Sequence, residues 1–156
     1  MKNRNYRMVV VIGSSRLGAS IASSNSQMGV YTAIIDKEPK AFRKLDPDYS
    51  GYKIEGDGED IDVLEEANIR EATEIDIMTE DDNENIYLAN LCLTFFKAPL
   101  IIVRLMDEKK SVLLDDARIR IITPSVLSYR TYHEIQDASL PIPEEDAGKK
   151  EGGKNI

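Results

Sequence analysis

Apolar residues in this chain come in short unbroken runs separated by periodic or polar stretches. Met8–Ile12 reads MVVVI, a run with no polar alternation, as expected of a parallel strand covered on both faces. A turn, GSSRLG, follows, then an apolar-periodic run from Ala19 to Met28 that predicts a helix, then a second strand closed by Asp36. Strand, glycine-bearing turn, helix and acid-tipped strand make a dinucleotide-binding βαβ layout.

The theme repeats. KEPKAFRKL predicts a short second helix, with Pro39 in its first turn and Phe42 and Leu45 as its apolar face. KIEGDG predicts a third strand, IDVLEEANI a helix on Ile61, Leu64 and Ala67, and Glu74–Thr79 a fourth strand. A long helix from Asp82, its expected N-cap, to Lys97 carries two apolar stripes, one on Ile86, Ala89, Leu93 and Phe96 and one on Leu88, Leu91, Cys92 and Phe95. The sheet covers one stripe; the other needs the last helix or a subunit contact. Leu100–Leu105 predicts a fifth strand, Ser111–Ala117 a helix, IRIIT a sixth strand and Ser125–Gln136 a final helix packed through Val126, Leu127, Tyr129 and Tyr132. The expectation is a doubly wound, parallel, six-stranded Rossmann-like α/β sheet at 8–136, preceded by a lead at 1–7 and followed by a disordered tail at 137–156.

Composition narrows the partners. With 20 Lys and Arg against 28 Asp and Glu, the net charge of −8 argues against nucleic acid and anionic membrane surfaces. The single cysteine, Cys92, lies in an apolar run and fits a reducing cytoplasm. No apolar run is long enough to span a bilayer, so membrane association is expected to come through a partner.

The chemistry is concentrated where the first and fourth strands part, outside their carboxyl ends. Gly13 permits a sharp turn, Gly18 a close helix crossing, and the amides that open the first helix can receive a phosphate. Asp36 can accept both hydroxyls of a ribose and would repel a 2′-phosphate. Ser15 stands where the fingerprint has its middle glycine; its side chain either clashes with a pyrophosphate or donates to it. The plainer alternative is a tight turn without a ligand. Glu80, Asp81, Asp82 and Glu84 suit either a divalent cation or the positive end of the long helix, the latter preferred. Arg104, charged in an apolar strand, either pairs with an Asp or Glu near the crevice or reaches a phosphate, the pairing preferred. His133, the lone histidine, is too far along the chain for catalysis there, and the Tyr49–Lys53 spacing of short-chain reductases falls in a turn.

In order and spacing, Gly13 and Gly18 around Arg16 and Leu17, Asp36, Gly56 with Asp57, TEDDNENI from Thr79, IIVRL with Arg104, and Thr123-Pro124 resemble a known family. They are similar to the N-terminal nucleotide-binding (TrkA-N) domain of TrkA- and KtrA-type regulators of potassium conductance, over roughly Met8 to Leu127. The resemblance implies a cytoplasmic, non-enzymatic protein that binds NAD(H), ATP, ADP or AMP, forms homodimers or rings, and controls a membrane potassium transporter or channel. It implies a nucleotide site on Gly13, Ser14, Ser15, Arg16, Leu17 and Gly18 for phosphates, Asp36 and Lys37 for ribose, Asp57 and Gly58 for adenine, and Thr79 and Glu80 opposite. Beside full regulators of that type, the resemblance leaves no stretch for their C-terminal ligand-binding domain, and the expectation is an accessory subunit or one whose other domain lies on a separate chain. Two other functions stay open: an NAD-dependent oxidoreductase, and an interaction module with a degenerate nucleotide site.

Overall fold

A computed structural model describes residues 6–139. Six strands, β1 (Met8–Ile12), β2 (Tyr31–Asp36), β3 (Tyr52–Glu55), β4 (Glu74–Ile77), β5 (Leu100–Arg104) and β6 (Ile119–Ile122), form one parallel sheet in the order β3-β2-β1-β4-β5-β6. The order reverses between β1 and β4, where Ile12 lies in register with Ile77. This is the doubly wound arrangement the sequence predicts.

Both faces of the sheet are covered near its centre. Helices α2 (Ile61–Glu66) and α3 (Asp82–Phe95) bury Leu64, Leu88, Ala89 and Cys92 against Val10, Ile12, Ile75, Ile77 and Val103. On the other face α1 (Arg16–Gln27) lays Ala19 and Ala22 on Val9, Val11 and Ile34. Every residue of β1 is buried, which is why its sequence shows no alternation. Burial also pushes the Cys92 thiol up to about 12, as befits a small core hydrophobe.

Several details differ from the sequence expectation. The helix expected at Ser111–Ala117 is a 3-10 turn at Glu108–Leu113, and that expected after Pro39 is a 3-10 turn at Pro39–Lys44. Asp81, not Asp82, caps α3, accepting from the amides of Asn83 and Glu84. Asp82 instead accepts from the amides of Met106 and Asp107, fastening the loop after β5 to the helix. The two stripes of α3 merge into one buried face, Asn85, Leu88, Ala89, Cys92 and Phe96, and leave Tyr87 and Phe95 half-exposed. A polar residue inside that face, Asn85, made the pattern look divided.

Helix α4 (Pro124–Ser139) belongs from Val126 onward to a second unit, of which the structure describes residues up to Ser139. It extends past the expected boundary at 137. Within it, the His133 ring meets Tyr129 and Tyr132 edge-on at 4.4 and 5.3 Å. Residues 1–5 of the lead and 140–156 of the tail lie outside the described residues. No described helix is long and apolar enough to cross a membrane.

Candidate functional site

Where β1 and β4 diverge, a hollow of about 460 Å³ opens at their carboxyl ends. Its lining includes Gly13, Ser14 and Ser15 from the first turn, Asp36 and Lys37 from the end of β2, Asp57 and Gly58 after β3, and Thr79 and Glu80 after β4. Nine of the twelve residues expected from sequence meet there. Arg16, Leu17 and Gly18 do not line it: Arg16 is exposed, Leu17 packs beside the α1 core, and Gly18 is buried beneath the turn.

The turn is shaped by close backbone approach. Gly13 has φ +99°, and a Cβ there would sit 2.7 Å from the Thr79 amide nitrogen. A Cβ on Gly18 would lie 2.0 Å from the Gly13 carbonyl oxygen. Only glycine lets β1, β4 and α1 meet this tightly. Gly18 is thus a packing residue rather than a lining one.

Ser15 caps α1 and turns inward. Its hydroxyl donates to the Met78 carbonyl at 2.6 Å and accepts from the Gly18 amide at 3.1 Å. Its oxygen is therefore engaged below the hollow rather than free within it. The amides of Arg16 and Leu17, in the first turn of α1, have no intrahelical acceptor. They remain at the positive end of the helix dipole.

Asp36 organises the opposite side. One carboxylate oxygen accepts from the Ser14 amide and the other from the Glu38 amide, each at 2.8 Å. Each oxygen retains a lone pair for a further donor such as a hydroxyl. The Ser14 hydroxyl donates to the Ala41 carbonyl and the Lys44 ammonium to the Ser14 carbonyl, at 3.0 and 3.1 Å. Together these bonds join the turn, the end of β2 and the 3-10 turn into one rim.

Ile12, Ile35, Gly56 and Glu84 complete the lining together with four residues to which sequence reasoning gave no role at the site: Glu38, Lys40, Ala41 and Lys44. Lys40 and Lys44 lie in the segment read for its apolar Phe42 and Leu45. Their spacing of four, on the side away from Phe42, was the available signal. Lys37, Lys40 and Lys44 bring positive charge to the side of the hollow that holds Asp36.

The crevice opposite Gly13 is fixed by a buried amide. The Thr79 hydroxyl donates to Asn85 Oδ1 at 2.6 Å, and Asn85 Nδ2 donates to the carbonyls of Thr79 and Arg104 at 3.0 and 2.9 Å. Arg104 has no carboxylate partner among the described residues, contrary to expectation. Its guanidinium donates to the Thr79 carbonyl at 3.2 Å and touches the Met106 sulfur, while its Nε is buried without a partner. The acids after Thr79 were all drawn into capping or loop contacts or sit at the hollow, so none remained to pair with it.

The reductase-like pair is not a catalytic one. The Tyr49 hydroxyl donates to the Tyr52 carbonyl at 3.1 Å and burial raises its pKa, while Lys53 lies on β3. Among the described residues no group of three or more His, Cys, Asp and Glu side chains could hold a metal ion.

A parallel sheet of this order, with a glycine turn at its switch point and an acid closing β2, defines the Rossmann-like class. The chain belongs to the TrkA-N domain family, whose model matches residues 9–124. It is 32% identical over 103 residues to the Trk system potassium uptake protein TrkA of Streptomyces coelicolor, covering 66% of this chain and 46% of that protein. It is 31% identical over 110 residues to the TrkA homolog of Pyrococcus horikoshii, covering 70% of this chain and 48% of that one. The chain thus spans about half the length of these relatives. Among solved structures, the GsuK channel bound to NAD superposes with a TM-score of 0.72 at 20% identity, covering 88% of this chain and 24% of that one. The Kef C-terminal domain of Shewanella denitrificans in its AMP-bound form gives 0.66 at 17%, covering 86% and 82%. At such identities the likeness to both structures is one of fold.

Proposed function

We propose that the chain is a non-enzymatic, adenine-nucleotide-binding regulatory domain of a potassium uptake system or channel. The observation that carries this is the hollow at the switch point, whose volume falls within the usual range of ligand pockets. The residues suit an adenosine phosphate. Asp36 faces the ribose hydroxyls, Asp57 and Gly58 the adenine, and the Gly13–Ser15 turn with Lys44 and Lys40 the phosphates. Thr79 and Glu80 close the far wall.

A carboxylate at position 36 disfavours a 2′-phosphate, so the ligands are NAD(H), ATP, ADP or AMP rather than NADP. The TrkA relatives act in potassium uptake by name, and the GsuK and Kef structures hold NAD and AMP in the same fold. This reading places the domain in the cytoplasm, as a homodimer or ring, at the inner face of the membrane through a transporter subunit. Nucleotide binding moves such an assembly only by its differential affinity for two subunit arrangements.

Thermal unfolding with ATP, ADP, AMP, NAD and NADH tests the binding step. A ligand at a hundred times its Kd stabilises by about 2.7 kcal/mol, several degrees for a domain of this size. At least one nucleotide should raise the Tm by that amount, and Asp36→Ala should abolish the rise. An unchanged Tm with all five would leave the interaction module as the better account.

A further inference from the structure

On the α1 side of the sheet, away from the nucleotide hollow, lies a buried acid that the proposed function does not use. Asp76, in the middle of β4, is 1% exposed, and as a carboxylate its oxygens receive no hydrogen bond from any donor among the described residues. In register it lies between Val11 of β1 and Ile102 of β5, which cannot satisfy it. A buried carboxylate without a partner is costly and calls for a counter-group.

Asp76 lines a separate hollow of about 390 Å³. Ile21 of α1, Ile102 of β5 and Ile122 of β6 form its apolar walls; Ser20, Ser24 and Asn25 of α1 and Glu74 of β4 supply its other polar atoms. We propose that this hollow is a second binding site, taking an alkylammonium group whose apolar stem lies along the three isoleucines and whose cation meets Asp76. A free amine and a lysine side chain of a bound protein present the same chemistry. The site is independent of the nucleotide reading.

The walls decide the ligand class. A bare hard cation would need six or more oxygens around it, whereas this hollow is mostly hydrocarbon. A neutral apolar ligand would leave the ionised Asp76 carboxylate without a counter-charge. A cation on a hydrocarbon stem satisfies both.

The charged groups near Asp76 are few. Glu74 lies two residues before it on the same face and is paired with Arg7 at 3.0 Å. Arg104 of β5 and Arg120 of β6 are turned to the carbonyls of Thr79, and of Ala117 and Ile119. α1 lends only hydroxyls and an amide to the hollow. Burial first, then repulsion from Glu74, pushes the Asp76 carboxyl up to about 8 against the opposing pull of Arg7, and a hydrogen bond from the protonated acid to Glu74 adds to the rise. An ammonium ligand therefore competes with a proton: its binding strengthens as pH rises through that value and releases a proton below it.

The test is an NMR titration of the whole chain, following backbone amides at Ser20–Asn25 and Glu74–Ile77. The probes are n-butylamine, Nα-acetyl-lysine methylamide as a lysine presented by a protein, n-butanol as the neutral isostere, and Ca²⁺. The expected result is saturable shifts at those amides with one or both amines, at least tenfold tighter at pH 8.5 than at pH 6.5. Asp76→Asn should weaken this binding at least tenfold, and uptake should release a proton at pH 7. Binding of the lysine derivative identifies a protein side chain as a source, and binding of butylamine alone a free amine. Butanol binding as tightly as the amines, Ca²⁺ in place of them, amine binding unaltered by Asp76→Asn, or no saturable shift up to solubility would each overturn the proposal. For wild-type protein, the proton count decides independently of the variant.

Discussion

The Ser15 hydroxyl donates to the Met78 carbonyl at 2.6 Å, tying the first turn of α1 to the chain just past β4. That bond bridges the two halves of the sheet where their strand order reverses. It also explains how a serine stands in a glycine-rich fingerprint: the side chain is held inward as a helix cap, with its oxygen engaged on both sides.

Ser15→Ala should destabilise the fold by about 1–3 kcal/mol, since it removes an N-cap and leaves the Met78 carbonyl without this donor. Urea unfolding measures this. Nucleotide affinity per folded molecule should change little, because the Ser15 hydroxyl is not needed by the ligand; a large loss of affinity at unchanged stability would mean that it is.

Asn85→Ala should cost about 2–4 kcal/mol. Asn85 is fully buried and joins Thr79, at the end of β4, to the Arg104 carbonyl at the end of β5. Amide hydrogen exchange at Thr79 should quicken more than exchange in β1, whose protection reports global unfolding.

Lys44→Met should weaken ADP about tenfold and adenosine hardly at all, because the ammonium stands over the phosphate turn. Calorimetric titration of the two ligands separates the cases. Equal losses for both would place Lys44 at the nucleoside instead.

Stability should depend on pH through Asp76. Its carboxyl is raised to about 8 in the folded chain and is ordinary when unfolded, so between about pH 4 and 8 the folded state holds a proton that the unfolded state has lost. Stability from this group is full below the unfolded value and declines as pH rises through the window, by up to on the order of 5 kcal/mol. Asp76→Asn removes the dependence and should be the more stable form at pH 8. A parallel pH profile for the two proteins would show that Asp76 ionises normally.

The strands were legible because central parallel strands carry unbroken apolar runs, as Met8–Ile12 does on two buried faces and Leu100–Val103 does with Ile101 and Val103 fully buried. The glycine turn and Asp36 were legible because only certain residue types tolerate that backbone. Lys40 and Lys44 were not, since long cations on a short polar segment look like ordinary surface until the chain folds back over the turn. Arg104 was misread because a charge in a strand suggests a carboxylate, whereas carbonyls at the strand end accept from it here.

An NMR titration with ADP and NAD tests the central claim most directly. The predicted result is saturable shifts clustered at Gly13–Ser15, Asp36–Lys37, Asp57–Gly58 and Thr79–Glu80, lost in Asp36→Ala. Shifts confined to other surfaces, or none with either nucleotide, would contradict it.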